Sequence, residues 1–348
     1  MTNYYTGDSN WPEIGATLDL APPISKVFEA PMDYLPASGL VAAVNAALML
    51  GQPLILTGEP GTGKTQLAYH VARRLGLLRP IKFEVKSTTE SRDLFYTVDS
   101  IRQFRDYSVK KDGDLDPLDY IEFQSLGLAI LRAAEAESHS IPREKFDHRP
   151  RADLWPEDPA TIPMPHRSVV LIDEIDKAPR DVPNDLLNEL EHLYFRIPEL
   201  SHHHQVAGPI TARSDLRPIV IFTSNSEKNL PAAFLRRCVF YNIEFPDREE
   251  LQKIVEARMA NLPMLRPLIQ DVLTFVTDHL RNGPRALDDK PGTAEVLSFL
   301  LALHRMDVGE REGLKACCEA AMNAVGTLAK NDKDLKKVQS QLKHYCGA

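Results

Sequence analysis

The stretch that most limits how this chain can fold is PLILTGEPGTGKT, Pro53–Thr65, an apolar run that stops at a glycine-rich turn and ends on a lysine followed by a hydroxyl residue. Its order is that of a buried strand (Leu54–Leu56), a loop, and a helix whose apolar positions Leu67, Val71 and Leu75 recur at helical spacing. Gly58, Gly61 and Gly63 let the loop backbone fold with its N–H groups turned inward, a nest that holds anionic oxygens with no side chain in the way. A helix beginning near Lys64 adds the partial positive charge of its N-terminus. Lys64 can reach outer phosphates, and Thr65 offers a hydroxyl to Mg²⁺. Gly58, Glu59, Pro60, Gly61, Thr62, Gly63, Lys64, Thr65 and Gln66 are therefore the expected phosphate-contacting residues of a G-x-x-x-x-G-K-[ST] loop. A plain glycine-rich turn is the bland alternative, and the flanking strand and helix patterns argue against it.

Other polar residues stand where apolar runs end. SVVLIDEID, Ser168–Asp176, reads as a central parallel strand buried on both faces that closes on Asp173 and Glu174. In an open parallel sheet, ligands gather beyond the carboxyl ends of the strands. There Asp173 can hold Mg²⁺ and Glu174 can orient and polarise an attacking water. PIVIFTSN, Pro218–Asn225, is a further buried strand, and Asn225 at its end can position that water; a turn-forming asparagine is the plainer reading. Arg236 and Arg237 precede a fifth strand, VFYNIEF, either as partners in salt bridges or as arginines presented across a subunit boundary.

The chain has 348 residues, 43% apolar and 26% charged, which gives room for two compact units with real cores. The net charge is −8, so no global basic field draws the protein to nucleic acid. The four cysteines, Cys238, Cys317, Cys318 and Cys346, lack metal-ligand spacing, and Cys317 and Cys318 fall in a helical pattern where apolar packing accounts for them. Reduced cytosol is the expected compartment. No segment has the pattern of a signal peptide or a membrane span, so a soluble, unexported protein is expected.

In chain order, 1–30 reads as an extended, proline-dotted arm, 31–246 as an α/β unit and 247–348 as an all-helical unit. The expected fold class is α/β, an αβα sandwich with a five-stranded parallel sheet followed by a helical lid. IKFEV, Ile81–Val85, is the second strand. The passage from about 90 to 166 is an excursion, with Arg92, Arg102, Arg105, Lys110 and Lys111 early in it, a helix over 126–136 and a proline-rich tail. Helices are expected over 181–194, 231–236, 265–281, 293–305, 311–329 and 332–344. The lysines of the last helix read as a solvated face rather than a nucleic-acid patch. Residues 194–212 suggest a hairpin with His202, His203 and His204 at its tip. Consecutive side chains diverge, so a tip that touches a partner is favoured over a metal site.

The ordered set GEPGTGKT, VVLIDE, TSN and LRRC, followed by an all-helical region, resembles an AAA+ ATPase. More narrowly it resembles the MoxR-type branch with an insert in helix 2, whose members carry a similar LxLGxPLxLxGxPGTGKTxLA stretch and LIDEIDKA continuation. The likeness covers roughly residues 33 to 305. It implies Walker A at Gly58–Thr65, Walker B at Asp173 and Glu174, sensor 1 at Asn225 and an arginine finger at Arg237, with Arg236 as second choice. It also implies ATP and Mg²⁺ as cofactors, a homo-hexameric ring, and pore-facing inserts near 90–110 and 194–212. The implied work is remodelling of a protein client such as a von Willebrand A domain protein. The family's sensor 2 is an arginine opening a lid helix. Here that helix opens as KPGTAEVLSFL, and Lys290 and Arg285 both stand as candidates. The rival expectations are a nucleic-acid motor and an ATP-gated switch.

Overall fold

The computed structural model describes residues 34–109, 115–135, 141–146, 155, 164–200, 208–260, 262, 266–308 and 313–347. The expected arm at 1–30, Lys110, Lys111 and His202 to His204 lie outside them. The chain divides into two compact units. One comprises Pro36–Gly58 and Lys64–Ile243; the other gathers Glu244–Ala348 with Glu59–Gly63.

The α/β unit is built on a five-stranded sheet in the order β2-β5-β8-β1-β9, from Ile81–Glu84 (β2), Val169–Asp173 (β5), Ile219–Thr223 (β8), Leu54–Gly58 (β1) and Val239–Ile243 (β9). Every pairing is parallel. The central strands carry the unbroken apolar runs because both of their faces are covered: Leu54, Ile55 and Leu56, Val169 to Ile172, and Val220, Ile221 and Phe222 are all buried. The edge strand β2 alternates instead, with Lys82 and Glu84 on one face. Its register sets Glu84 opposite Asp173. A helix Ser38–Leu50, ended by Gly51 in the left-handed region at φ +61°, precedes β1. The helix Lys64–Arg74 follows β1 and buries Leu67, Ala68, Val71 and Ala72.

The excursion is part of the same core. Tyr96–Val98 (β3) and Ile121–Phe123 (β4) pair antiparallel, and Phe95, Tyr96 and Ile121 join the hydrophobic cluster under the sheet. The helix Ser125–Ala133 is buried along its length, and Gly127 is required there because a Cβ would overlap the Phe95 carbonyl. Trp155 is anchored to the same unit: its indole Nε1 donates to the Leu77 carbonyl at 2.9 Å, and the guanidinium groups of Arg73 and Arg79 lie 5.5 and 5.1 Å from its ring.

Between β3 and β4 stands the helix Ser100–Val109, which is turned inside out. Its polar side faces the protein: Tyr120 donates to Asp106 at 3.1 Å and Arg102 lies over the Tyr120 ring at 5.5 Å. Ile101 and Phe104 face solvent, at 85% and 76% exposure, with Tyr107 half exposed.

Some expected helices are shorter or broken. The one expected at 126–136 stops at Ala133. That at 181–194 splits at Leu186 into Val182–Asp185 and Leu187–His192. The hairpin expected at 194–212 is closed by Tyr194–Phe195 (β6) and Ile210–Thr211 (β7), which pair antiparallel.

The second unit is helical. Arg248–Arg258 is capped by Asp247, whose carboxylate accepts from the Glu250 N–H at 2.8 Å. Arg266–Thr274 runs on as a π-helix, Phe275–Arg281. Thr293–Arg305, Cys318–Ala324 and Asp332–Cys346 follow. The helix expected over 311–329 is interrupted at Cys317, whose φ of −131° separates the 3₁₀ turn Leu314–Cys317 from the α-helix. The cysteines depart from expectation too: Cys318 is bonded to Cys346, joining the start of one helix to the end of another, while Cys317 packs in the core. Among the described residues no helix is long and apolar enough to cross a membrane.

Candidate nucleotide site

The glycine-rich loop takes the backbone its sequence calls for. Gly58, Gly61 and Gly63 have φ of 141°, 78° and 88°, values open to glycine and strained for other residues. A Cβ on Gly63 would approach the Tyr34 ring to 3.0 Å. Thr62 Oγ1 donates to the Glu59 carbonyl at 2.8 Å and tightens the turn. The buried Lys64 folds back, and its Nζ donates to the Gly58 carbonyl at 2.8 Å. A buried Gln66 Oε1 in the next turn has no hydrogen-bond partner among the described residues.

Around Asp173, at the carboxyl end of β5, three strands and a helix converge. Its Oδ1 accepts from Thr65 Oγ1 at 3.0 Å and from Thr223 Oγ1 at 2.6 Å. Its Oδ2 lies 3.0 Å from Lys82 Nζ, which also reaches Glu84 Oε1 at 2.6 Å. Burial alone would lower the Lys82 pKa, but the bonds to Glu84 and Asp173 outweigh it and raise the ammonium above its ordinary value.

Glu174 sits in the left-handed region at φ 60°, ψ 49°, a conformation that costs a non-glycine residue and that recurs at functional positions. The Thr223 hydroxyl, which donates to Asp173, also accepts the Glu174 N–H at 2.9 Å and so ties the two acids together. The Glu174 carboxylate accepts from Asn225 Nδ2 at 3.0 Å on Oε1 and from Lys177 Nζ at 2.5 Å on Oε2. Beneath, Asp176 is 2% exposed and accepts from the N–H groups of Asn225 and Glu227 at 3.4 and 2.9 Å, which fixes the turn carrying Asn225. Thus Thr65, Asp173, Glu174 and Asn225 are brought together, along with Thr223, Asp176, Lys177 and Lys82, which motif reading did not single out. The chain signals for these four are weak: a threonine at a strand end, two residues just after an acidic pair, and a lysine in an alternating strand.

The donor set fits Mg²⁺ and phosphate. A hydroxyl and a carboxylate within hydrogen-bond reach of one another are hard oxygen ligands, and Mg²⁺ is commonly held by one or two carboxylates together with substrate phosphates. The loop's three positive-φ glycines open its backbone N–H groups to an anion.

The arginines lie elsewhere. Arg237 Nε is 3.3 Å from Glu191 Oε2, and both residues line an open cleft of about 800 Å³ with Arg217, Leu48, Pro53 and Pro218. Pro53 and Pro218 precede β1 and β8, so Arg237 belongs to the strand-entry edge of the sheet whereas Asp173 ends a strand at the exit edge. Arg236 beside it is exposed. Cys238 lines the same cleft, and burial pushes its thiol pKa up to about 12.

In the helical unit, the buried Arg281, the last residue of the π-helix, has several partners. Its Nη1 donates to the Pro291 carbonyl at 2.8 Å, its Nη2 to Glu59 Oε2 at 2.8 Å, and its guanidinium lies 3.6 Å from the Phe245 ring centre. Arg285 and Lys290 are exposed. The lysine-rich last helix is engaged with the segment between them: Lys333 and Lys337 pair with Asp288 at 2.6 and 3.1 Å, and Gln341 donates to the Arg285 carbonyl at 2.8 Å.

The family model for the AAA domain (dynein-related subfamily) matches residues 53–238. No curated protein sequence matches the chain significantly. Among solved structures, the Thermotoga maritima RuvB Holliday junction branch migration motor is 15% identical, with a TM-score of 0.38 over 85% of this chain and 70% of that one. A point mutant of the same RuvB is 14% identical, with a TM-score of 0.43 over 89% of this chain and 76% of that one.

Proposed function

The chain belongs to the AAA domain family, in its dynein-related subfamily, and from that premise we propose that it is a MoxR-type ATPase which hydrolyses Mg-ATP in a homo-hexameric ring and remodels a protein partner. The observation that carries this reading is the cluster in which Thr65, Asp173, Glu174 and Asn225 are linked by hydrogen bonds at the end of β5. Gly58–Gln66 wraps the phosphates and Lys64 swings from the Gly58 carbonyl onto their outer oxygens. Thr65 and Asp173 would hold Mg²⁺, which would supply charge neutralisation on the transferring group. Glu174 orients and polarises water, Asn225 keeps it in line, and Arg237, on the far edge of its own sheet, serves the site of an adjacent copy. A von Willebrand A domain protein is the class of partner that the MoxR likeness suggests.

The ring reading is tested by mixing Lys64→Ala chains with Arg237→Ala chains, each inactive alone. An arginine acting in trans is worth roughly 10³ to 10⁵ in rate, so mixed rings should regain part of the activity at interfaces that pair an intact loop with an intact arginine. If co-assembled mixtures stay dead, Arg237 does not act across an interface.

For partner contact we assign the inside-out helix Ser100–Val109. A polypeptide suits it better than nucleic acid, because the nearby arginines are already engaged: Arg92 with Glu199 at 3.6 Å, Arg102 on Tyr120, and Arg105 with Asp106 at 3.6 Å. Ile101→Ser with Phe104→Ser should preserve assembly and basal hydrolysis while partner-stimulated hydrolysis falls to the basal level. Retained stimulation, or a DNA affinity that drops steeply with salt and needs these residues, would refute the assignment.

A further inference from the structure

Lys82 has no role in the reading above, yet its ammonium is the ion-pair partner of Asp173 among the described residues. Three observations locate it. The parallel register of β2 on β5 sets Glu84 opposite Asp173, and Lys82, two residues earlier, shares the face of Glu84. Its Nζ lies 3.0 Å from Asp173 Oδ2 and 2.6 Å from Glu84 Oε1, so one cation is shared by two acids. The pair is partly enclosed, the Asp173 side chain at 13% and that of Lys82 at 31% exposure, where salt screens weakly. Because Oδ1 is taken up by the hydroxyls of Thr65 and Thr223, Lys82 holds the second oxygen and completes the orientation of the carboxylate.

The expected metal ligand thus already carries a positive charge, and a divalent ion using the same carboxylate must sit within a few ångströms of it. Like charges at that separation repel strongly in a partly buried site. Phosphate oxygens arriving with the ion add the negative charge that offsets the repulsion.

We propose that Lys82 is the resident counter-cation of Asp173, a positioning residue that aims the carboxylate toward Thr65 and lowers the affinity of the nucleotide-free site for divalent metal, so that Mg²⁺ is retained only together with phosphates. The proposal rests on the assignment of Asp173 as a metal-holding residue. It is distinct from a purely structural role, in which Lys82 only fastens an edge strand, because the two make opposite predictions about metal affinity.

The experiment titrates Mn²⁺ into the full, nucleotide-free chain and follows the free ion by electron paramagnetic resonance. Lys82→Met, which keeps the side-chain length and removes the charge, should bind Mn²⁺ about tenfold more tightly, while Lys82→Arg stays close to the parent. Glu84→Gln leaves the ammonium wholly to Asp173 and should weaken Mn²⁺ binding a few-fold, giving a second reading should the Met variant fold poorly. The Mg²⁺ concentration for half-maximal ATP hydrolysis should move in the same directions. Unchanged or weaker Mn²⁺ binding in Lys82→Met, with a circular-dichroism spectrum like the parent's, overturns the proposal and leaves Lys82 as a strand fastener. Asp173→Asn separates the two levels. If it abolishes binding in both backgrounds the metal assignment holds and only the role of Lys82 is at stake; if binding persists undiminished, the assignment of Asp173 falls and the proposal with it.

Discussion

Asp173 in the α/β unit and Asp334 in the helical unit are both enclosed acids with several partners, but the partners differ in kind. Asp334 is fully buried and accepts from the backbone N–H groups of Asp288 and Asp289 at 3.1 and 2.9 Å, from Asn331 Nδ2 at 2.9 Å and from Lys337 at 3.3 Å. Two of these donors are main chain and cannot rotate away. Asp173 is held by two hydroxyls and an ammonium, all on side chains that can turn to a ligand. The acid that holds a loop is bound by groups that stay, and the acid at the end of β5 by groups that can turn away.

Of the two acids at the end of β5 and the buried Asp334, the largest effect should come from Glu174. Glu174→Gln keeps the size and the Asn225 contact but removes the charge that polarises water, so turnover should fall roughly 10² to 10⁴-fold with ATP affinity nearly unchanged. Lys64→Ala should lose ATP binding itself. A fluorescent-nucleotide titration that finds both variants equally weak would erase the distinction between a group that acts on water and one that holds phosphate.

Asp334 should register in stability. Asp334→Ala strands the backbone donors of Asp288 and Asp289, at a cost of about 3 kcal/mol, seen as an earlier urea midpoint for the helical unit. Smaller, and specific in direction, is the pH dependence. Burial would raise the Asp334 pKa, but the backbone bonds from Asp289 and Asp288, with Asn331 and Lys337, outweigh it and hold the carboxyl near about 2. With its folded value below the ordinary carboxylate value, its stabilisation is complete above about pH 4 and is lost as pH falls through about 2. Asp334→Asn should therefore unfold with a shallower acid slope in that window; an unchanged slope would show that the carboxylate is not held in its charged form.

What the chain disclosed on reading follows the same division. The phosphate loop and the strands β1, β5 and β8 were legible because their requirements are local: glycines at positive φ, and apolar runs long enough for a strand covered on both faces. Lys82 was not, because its partner is chosen by the register of β2 on β5. Arg281 was passed over for Arg285 and Lys290 because its partner Glu59 is 222 residues away and a π-helical turn aims it. The bond between Cys318 and Cys346 joins cysteines 28 residues apart in the chain, and spacing alone does not specify such a pairing. The apolar residues of the helix Ser100–Val109 have a helical period, yet periodicity does not say which side faces the protein.

The strand β2 carries a further consequence. It is only four residues long and lies at the rim of the sheet, with one side of its backbone unclaimed by any other strand of that sheet. Such a rim is a template on which another chain can add a strand, and a one-residue slip of the rim strand would carry its charges to the opposite face. Lys82 and Glu84, bonded to each other and to Asp173, penalise both events: the slip breaks the ion pairs, and an added strand meets two charges within a very short run. The charges beside Asp173 thus also guard the sheet against misregistration and aggregation.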